Sequence, residues 1–535
     1  MEARFVSALQ KVFSDADRLP KETDTLRLFR NERGSLQLCV RADADAELSV
    51  LWETKLPCTV YEVAEVYASL PIYPGTKRCT LLRSEPGYFP DLLRPFDGTL
   101  RVNGGKTAAL WLETDPADAA PGEYEIAVTL KNGEETLTKT ARVLVGETPL
   151  AAQTLLYTNW FHADCLADHY NVPVFGDEFW RITEAFMANA AKYGLNCILT
   201  PLFTPPLDTA VGGERTTVQL VDVTKKGYTY TFDFTLLEKW MALAEKHGIT
   251  HFEFSHLFTQ WGAKAAPKIM AHTSKGYRRI FGWETDSLSQ GYMRFLRQLG
   301  QALTAFCNER GVTDRCLVHC SDEPGGDQIP RYRKCAAAVH EYFGAFRHMD
   351  ALSEPVFYDE GLVELPVPEE GSIEKFRDKV PALWTYHCCG QFENELPNRF
   401  IAMPAIRLRI LGALLYKFNC AGFLQWGFDF YNTQLSKAKI DPFKETSAGG
   451  AFPAGDAFIV YPGENGAPWP SLREPVFFDA LQDLRALTAA EQKLGRDAVL
   501  QLIADTLGDI DFRHYPMDEE TFFGFRKKLF YAVET

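Results

Sequence analysis

Along residues 25 to about 147, apolar and polar positions alternate with the two-residue period of half-buried strands. Leu26-Arg27-Leu28-Phe29, Ser35 to Val40 and Ala108 to Leu112 read as strands. Pro121-Gly122 turns into the alternating run Glu123 to Leu130, and Lys131-Asn132-Gly133 supplies a hairpin turn. Short strands punctuated by Pro and Gly predict an all-β sandwich, assigned here to residues 1–148. Nothing in it gathers residues of a catalytic type, so it reads as an accessory domain.

From about residue 150 the rhythm becomes strand, loop, amphipathic helix. Strands are predicted at Thr154 to Asn159, Asn196 to Phe203, His251 to Phe258, Cys316 to Ser321, Phe346 to Leu352, Leu362 to Val367, Ala382 to Cys388 and Gly422 to Phe428. Helical patterns fall between them, as in Phe179 to Tyr193, Ser287 to Arg310 and Pro330 to Phe343. Several close on a glycine, among them Gly194, Gly248, Gly311 and Gly344. The fold class is therefore α/β, with a (β/α)8 TIM barrel over residues 149–495 and a helical C-terminal extension over 496–535. Ala457 to Tyr461 would be a ninth strand added on the catalytic face.

Composition narrows the function. The 535 residues carry 46% hydrophobic and 24% charged positions, enough for a large soluble core. A net charge of −15 argues against nucleic acid or an anionic membrane as partner. Met1 to Pro20 lacks a continuous apolar stretch of the secretory type, and Ile401 to Tyr431 is interrupted by Arg407, Arg409 and Lys417. Twelve cysteines lie scattered with no C-x-x-C pair, which excludes a zinc framework and fits reduced thiols in a cytoplasmic protein. No cofactor motif stands out, and the histidines are read as hydrogen-bonding groups rather than metal ligands.

Chemistry concentrates at the strand ends. Cys316-Leu317-Val318-His319-Cys320-Ser321 runs into Asp322-Glu323-Pro324, and the C-terminal ends of barrel strands are where this fold keeps its active sites. Taken alone, an Asp-Glu dipeptide is an ordinary exposed acidic turn. The neighbouring strand ends change that reading: Asn159 and Trp160, Glu253 and His256, Trp384 and Tyr386, and Gln425 with Trp426 all supply amides, carboxylates or aromatic faces. A cleft floored by aromatic rings and rimmed by such groups suits a carbohydrate. Arg473 and Lys264 read as surface charges near loops.

The ordered set Asp322-Glu323-Pro324, Trp384-x-Tyr386, Gly422 to Gly427, Gly455 to Gly463 and Pro470 to Arg473 resembles the catalytic domain of glycoside hydrolase family 123, a β-N-acetylgalactosaminidase-type barrel behind an N-terminal β-sandwich. The block Trp261 to Met270 resembles a subgroup of that family. The resemblance implies substrate-assisted hydrolysis of a 2-acetamido sugar. It assigns Glu323 as general acid and Asp322 as the group that holds the acetamido N–H, so that the acetamido carbonyl attacks the anomeric carbon. Tyr386 would position that carbonyl and Trp426 would floor the sugar, with Asn159, Glu253 and Trp384 as further substrate-binding residues. Adjacent residues on an extended strand face opposite ways, which suits two carboxyls addressing two different atoms. Two other readings stay open: a non-catalytic carbohydrate-binding barrel, and a glycosidase for a sugar without an N-acetyl group in which Glu253 or Asp429 joins the site.

Overall fold

The computed structural model describes residues 1–116 and 119–534. Ten strands of the N-terminal part form two five-stranded sheets. One runs Glu2–Ser7, Gly34–Arg41, Thr107–Thr114, Cys58–Ala68, Gly87–Pro95; the other runs Thr25–Leu28, Glu135–Val145, Gly122–Asn132, Ala46–Thr54, Thr99–Val102. Their alternating apolar residues meet in one buried cluster, with Leu36, Leu38 and Leu112 from the first sheet against Val50, Ile126, Val128 and Val143 from the second. The predicted hairpin pairs Asn132 with Glu135, and Gly133 takes the positive φ of +59° that its turn requires.

Eight parallel strands follow, labelled β1 (Leu156–Asn159), β2 (Cys197–Thr200), β3 (His251–Phe254), β4 (Cys316–Val318), β5 (Arg347–Ala351), β6 (Leu365–Val367), β7 (Trp384–Tyr386) and β8 (Gly422–Gln425). They pair in the order β6-β5-β4-β3-β2-β1-β8-β7. The last seam, β6 to β7, is closed by a bridge between Glu369 and Tyr386 and by the Tyr386 N–H donating to Pro368 O at 3.1 Å. Pro366 and Pro368 have no N–H to return, so a full ladder cannot form there. Inside the ring, Cys197, Leu199, Leu317, Met349, Leu365, Val367, Trp384 and Leu424 form a separate apolar cluster, one side chain in two along each strand. Gly422 exists to admit Trp384, since a Cβ there would sit 2.0 Å from the indole.

Long helices Asp177–Lys192, Thr235–Lys246, Gln290–Arg310 and Ile329–Phe343 cover the outside of the first five strands. The next two crossovers depart from the predicted regularity, carrying only Val356–Asp359 and the 3-10 segment Glu370–Lys375. The chain between β2 and the Gln290–Arg310 helix also builds a four-stranded sheet that the hydrophobic pattern did not announce. Its strands alternate many charged and aromatic residues (Asp222–Lys226, Gly276–Phe281), so they carry no clear apolar face in the sequence. The expected ninth strand is Val460–Pro462, paired with Pro468–Pro470. Among the described residues, no helix is long and apolar enough to cross a membrane. All twelve cysteines are unpaired thiols.

The N-terminal sheets and the barrel are locked together. Arg473, read from the sequence as a surface charge, is buried and donates to both oxygens of the buried Asp91 at 2.8 and 2.9 Å. It opens the helix Arg473–Leu494, whose first turn faces the sheets, and an unpaired guanidinium there would be very costly. Residues 69–82 leave the sheets as a strap over the barrel, with Leu82 N–H on Ala402 O and Ala454 N–H on Leu70 O. The terminal helix Glu519–Glu534 packs back on the N-terminal sheets through an Arg526–Glu32 pair and a 2.5 Å hydrogen bond from Ser7 Oγ to Glu519.

Candidate active site

β4 ends at Val318, and its extension places Asp322 and Glu323 at the C-terminal mouth of the barrel. The pair is not on extended strand. Glu323 has φ +42°, an uncommon left-handed setting for a non-glycine residue, held by its N–H on Ala351 O at 3.1 Å. The expected opposite-face geometry therefore gives way to a kink. It leaves Asp322 half-buried and Glu323 exposed at the rim.

Tyr386, at the end of β7, donates its hydroxyl to Glu323 Oε1 at 2.5 Å. The tyrosine expected to meet a substrate carbonyl is thus engaged on the acid itself. The Asp322 carboxylate accepts no hydrogen bond from the described residues and is open to a ligand. Burial raises the carboxyl pKa of both residues: Asp322 is pushed up further by the Glu323 charge, while Glu323 is drawn down by Tyr386 and pushed up by Glu369. Such a pair shares a proton as a unit.

Beneath it lies a fully buried polar chain. Glu253 accepts from Thr158 Oγ1 at 2.5 Å and Trp160 Nε1 at 2.6 Å, and its Oε1 meets His319 Nε2 at 2.5 Å. The other ring nitrogen of His319 lies 3.1 Å from Asp350 Oδ1. Asp350 also accepts the backbone N–H groups of Cys320 and Ser321, at 3.0 and 3.3 Å, and the Tyr332 hydroxyl at 2.5 Å. Glu253 is thus a buried support under the pair, not a cleft-lining group, because it occupies the inward position of β3 below the mouth.

Two other expectations are corrected. Asn159 is fully buried, with its amide on the Tyr157 hydroxyl at 3.2 Å, and Tyr157 packs on Phe423 and Phe477 in the helix layer. Strand alternation sends Thr158 and Trp160 inward and Tyr157 and Asn159 outward. Trp384 also points inward but lies one layer below Tyr386, where it fills the barrel core. Trp426 does reach the mouth. Its indole N–H donates to Asp456 Oδ2 at 2.9 Å, and its ring rests on Phe430 and Phe452.

Asp456, Glu369 and Asp208 were missed as site residues. Burial raises Asp456 to about 7 against the pull of Arg399, and raises Asp208 to about 6. The Cys388 thiol is pushed up by its hydrogen bond to Cys389 and by burial, and the Glu323 and Asp456 charges add to this. Glu369-Glu370 repeats the signature that singled out Asp322-Glu323, an acidic pair directly after a strand. Asp429, the alternative carboxylate, lies apart: it accepts the His162 N–H at 2.6 Å and burial lifts it to about 8.

His256, His319 and Asp350 hold ligand-type atoms within 4.8 Å of one another. Both His319 nitrogens already meet carboxylates, and its ring stacks on His256 with centroids 4.2 Å apart and planes 19° apart. In-plane lone pairs of stacked rings run side by side and do not converge on one ion. In the second such group, Cys320, His348 and Asp350, burial pushes the thiol far up, away from the thiolate a metal needs.

The family description "Glycoside hydrolase 123, catalytic domain" matches residues 160–490. A family 123 glycoside hydrolase from Clostridium perfringens, solved for the details of glycolipid glycan hydrolysis, is similar over 100% of this chain and 97% of its own. The two share 14% identity and a TM-score of 0.74, a likeness of fold. A β-glucuronidase from Parabacteroides merdae is similar over 83% of this chain and 50% of its own, at 12% identity and a TM-score of 0.33. No curated protein matches by sequence.

Proposed function

The chain belongs to glycoside hydrolase family 123 and hydrolyses glycosidic bonds; from that premise we propose that it is a retaining, substrate-assisted enzyme acting on a terminal 2-acetamido sugar of the β-N-acetylgalactosaminide type. The observation that carries this reading is the inequality of two neighbouring carboxyls. Glu323 has a hydroxyl donor and Asp322 has none. A nucleophile and acid of the usual retaining kind stand ~5 to 5.5 Å apart across the sugar. Here the two carboxyls are neighbours on one kinked segment, which suits a different division of labour.

Glu323, its pKa raised by burial, protonates the leaving oxygen. Asp322 accepts the acetamido N–H, which turns the acetamido oxygen toward the anomeric carbon. That oxygen forms the new bond to carbon as the glycosidic C–O bond breaks, giving an oxazolinium. Glu323, now ionised, takes a proton from the water that opens it. Trp426, held by Asp456, forms the floor under the ring, and Tyr386 steadies Glu323 in each protonation state. Residues 149–495 are read as the (β/α)8 TIM-barrel catalytic domain, 1–148 as a sandwich accessory domain and 496–535 as a helical extension. Twelve unpaired thiols support a cytoplasmic setting.

Nitrophenyl glycosides with and without the 2-acetamido group test the proposal. Cleavage confined to the 2-acetamido members is expected. Cleavage only of sugars without that group would leave the glycosidase and remove substrate assistance.

A further inference from the structure

We propose that Trp261, exposed on the rim beside the acid pair, is a second sugar platform that stacks on the aglycone, the sugar joined through the oxygen that Glu323 protonates. The inference deepens the proposed function and rests on it. A lone exposed apolar side chain is ordinary on a protein surface. This one is set apart by its place and by how it is held.

The chain after β3 runs beside the chain after β4. Leu257 N–H donates to His319 O at 3.1 Å, Phe258 N–H to Cys320 O at 3.0 Å and Trp261 N–H to Asp322 O at 3.0 Å. Ser321 Oγ adds a bond to Thr259 O at 2.9 Å. The indole therefore springs from a residue in direct contact with Asp322. Of the exposed large apolar side chains among the described residues, it is the one whose backbone meets the acid pair. At 45% exposure it is the one exposed tryptophan of ten, and it packs in none of the apolar clusters.

Trp261, Gly262 and Ala263 take positive φ in succession, at +54°, +115° and +52°. Two of the three are not glycine, and such settings persist only where their surroundings over-determine them. Here the surroundings do. Gln260 Oε1 accepts the Asp208 N–H at 2.6 Å, and the buried Ala263 donates its N–H to Thr259 O at 3.2 Å. A Cβ on Gly262 would stand 2.8 Å from the Gln328 side chain, so the turn lies against the loop that follows Glu323. Gln260, Gly262 and Ala263 are buried, which leaves the indole alone outside on a fixed base. A platform on such a base has less freedom to lose on binding.

Position selects the part of the substrate. In the proposed mechanism the deeper Asp322 holds the acetamido group, and Glu323 at the rim serves the leaving oxygen. What extends outward from that oxygen is aglycone, and Trp261 stands at that rim with an apolar face to offer the C–H face of a pyranose. Tyr386, the other aromatic at Glu323, is buried, and its hydroxyl is taken up by the acid.

The test compares two substrates that share the 2-acetamido sugar, a β-linked disaccharide and the methyl glycoside. The ratio of their kcat/KM values measures what the aglycone ring contributes. In Trp261→Ala that ratio should fall about tenfold, and in Trp261→Phe by less. A ratio equal to that of wild type overturns the proposal, whether activity falls on both substrates or on neither. Wild-type protein gives a second readout that needs no variant. N-bromosuccinimide oxidises exposed indoles first, and a thio-linked disaccharide that resists hydrolysis should shield Trp261, read by peptide mass, more than the methyl thioglycoside does. No greater shielding by the disaccharide overturns the proposal. Should wild type cleave only glycosides lacking the acetamido group, the substrate-assisted reading falls. The same ratio, taken on those glycosides, then decides the platform separately.

Discussion

The Tyr386 hydroxyl stands 2.5 Å from Glu323 Oε1 and draws the carboxyl proposed as general acid toward its ionised form. A hydrogen bond to the charged form favours ionisation, so Tyr386→Phe should raise the Glu323 pKa. A general acid works while protonated, and activity fades as pH rises through its pKa. The basic limb of kcat/KM should therefore move to higher pH by about one unit, since such a bond is worth ~1.5 to 3 kcal/mol. An unmoved limb would show that Tyr386 serves the substrate and not the acid.

Glu323→Gln should lower turnover of a poorly activated glycoside by ~10² to 10⁴-fold, and much less for a dinitrophenyl leaving group. Asp322→Asn should lose a comparable factor on both, because the partner proposed for it is the acetamido group. A thiazoline mimic of the cyclised intermediate should bind wild type tightly and Asp322→Asn weakly in calorimetry. Equal binding to both would detach Asp322 from the acetamido group.

Trp426→Ala should raise KM by about tenfold, ~1.4 kcal/mol of binding, with kcat little changed. Trp426→Phe keeps a ring but loses the donor to Asp456, and should fall between the two. A fall in kcat with constant KM would place the indole in the chemistry and not under the sugar.

Asp91→Ala should destabilise the whole chain by about 3 to 5 kcal/mol, because it strands the buried Arg473 guanidinium. Urea unfolding followed by tryptophan fluorescence measures it. If the midpoint did not move, Arg473 would have found water, and the contact between sheets and barrel would be looser than its burial indicates.

Much of this architecture was legible in the chain. The eight barrel strands fall inside the eight predicted runs, because buried parallel strands need continuous apolar stretches bounded by loops. The expected run Cys316 to Ser321 holds the strand before the acid pair too, although that strand ends at Val318, well before Pro324. What was not legible is direction. Asn159 and Trp160 are neighbours in sequence and both look like cleft residues, yet alternation sends one to the helices and the other to Glu253. Arg473 looked solvated because Asp91, its partner, lies 382 positions away. Glu369 carries the same signature as the acid pair, but Pro366 and Pro368 break up the strand-like run before it and mask it as a loop.

The terminal helix has a consequence for how the molecule is made. Glu32 finds Arg526 only 494 positions later, and Ser7 waits 512 positions for Glu519. A ribosome that has delivered both N-terminal sheets has delivered a surface whose buried carboxylate has no counter-ion, until the last helix emerges. The N-terminal sheets, made before the barrel, are thus completed only after it. Shortening the chain at its far end should then betray itself first in the sheets at its beginning, as protease sensitivity around Glu32, while the barrel strands remain protected.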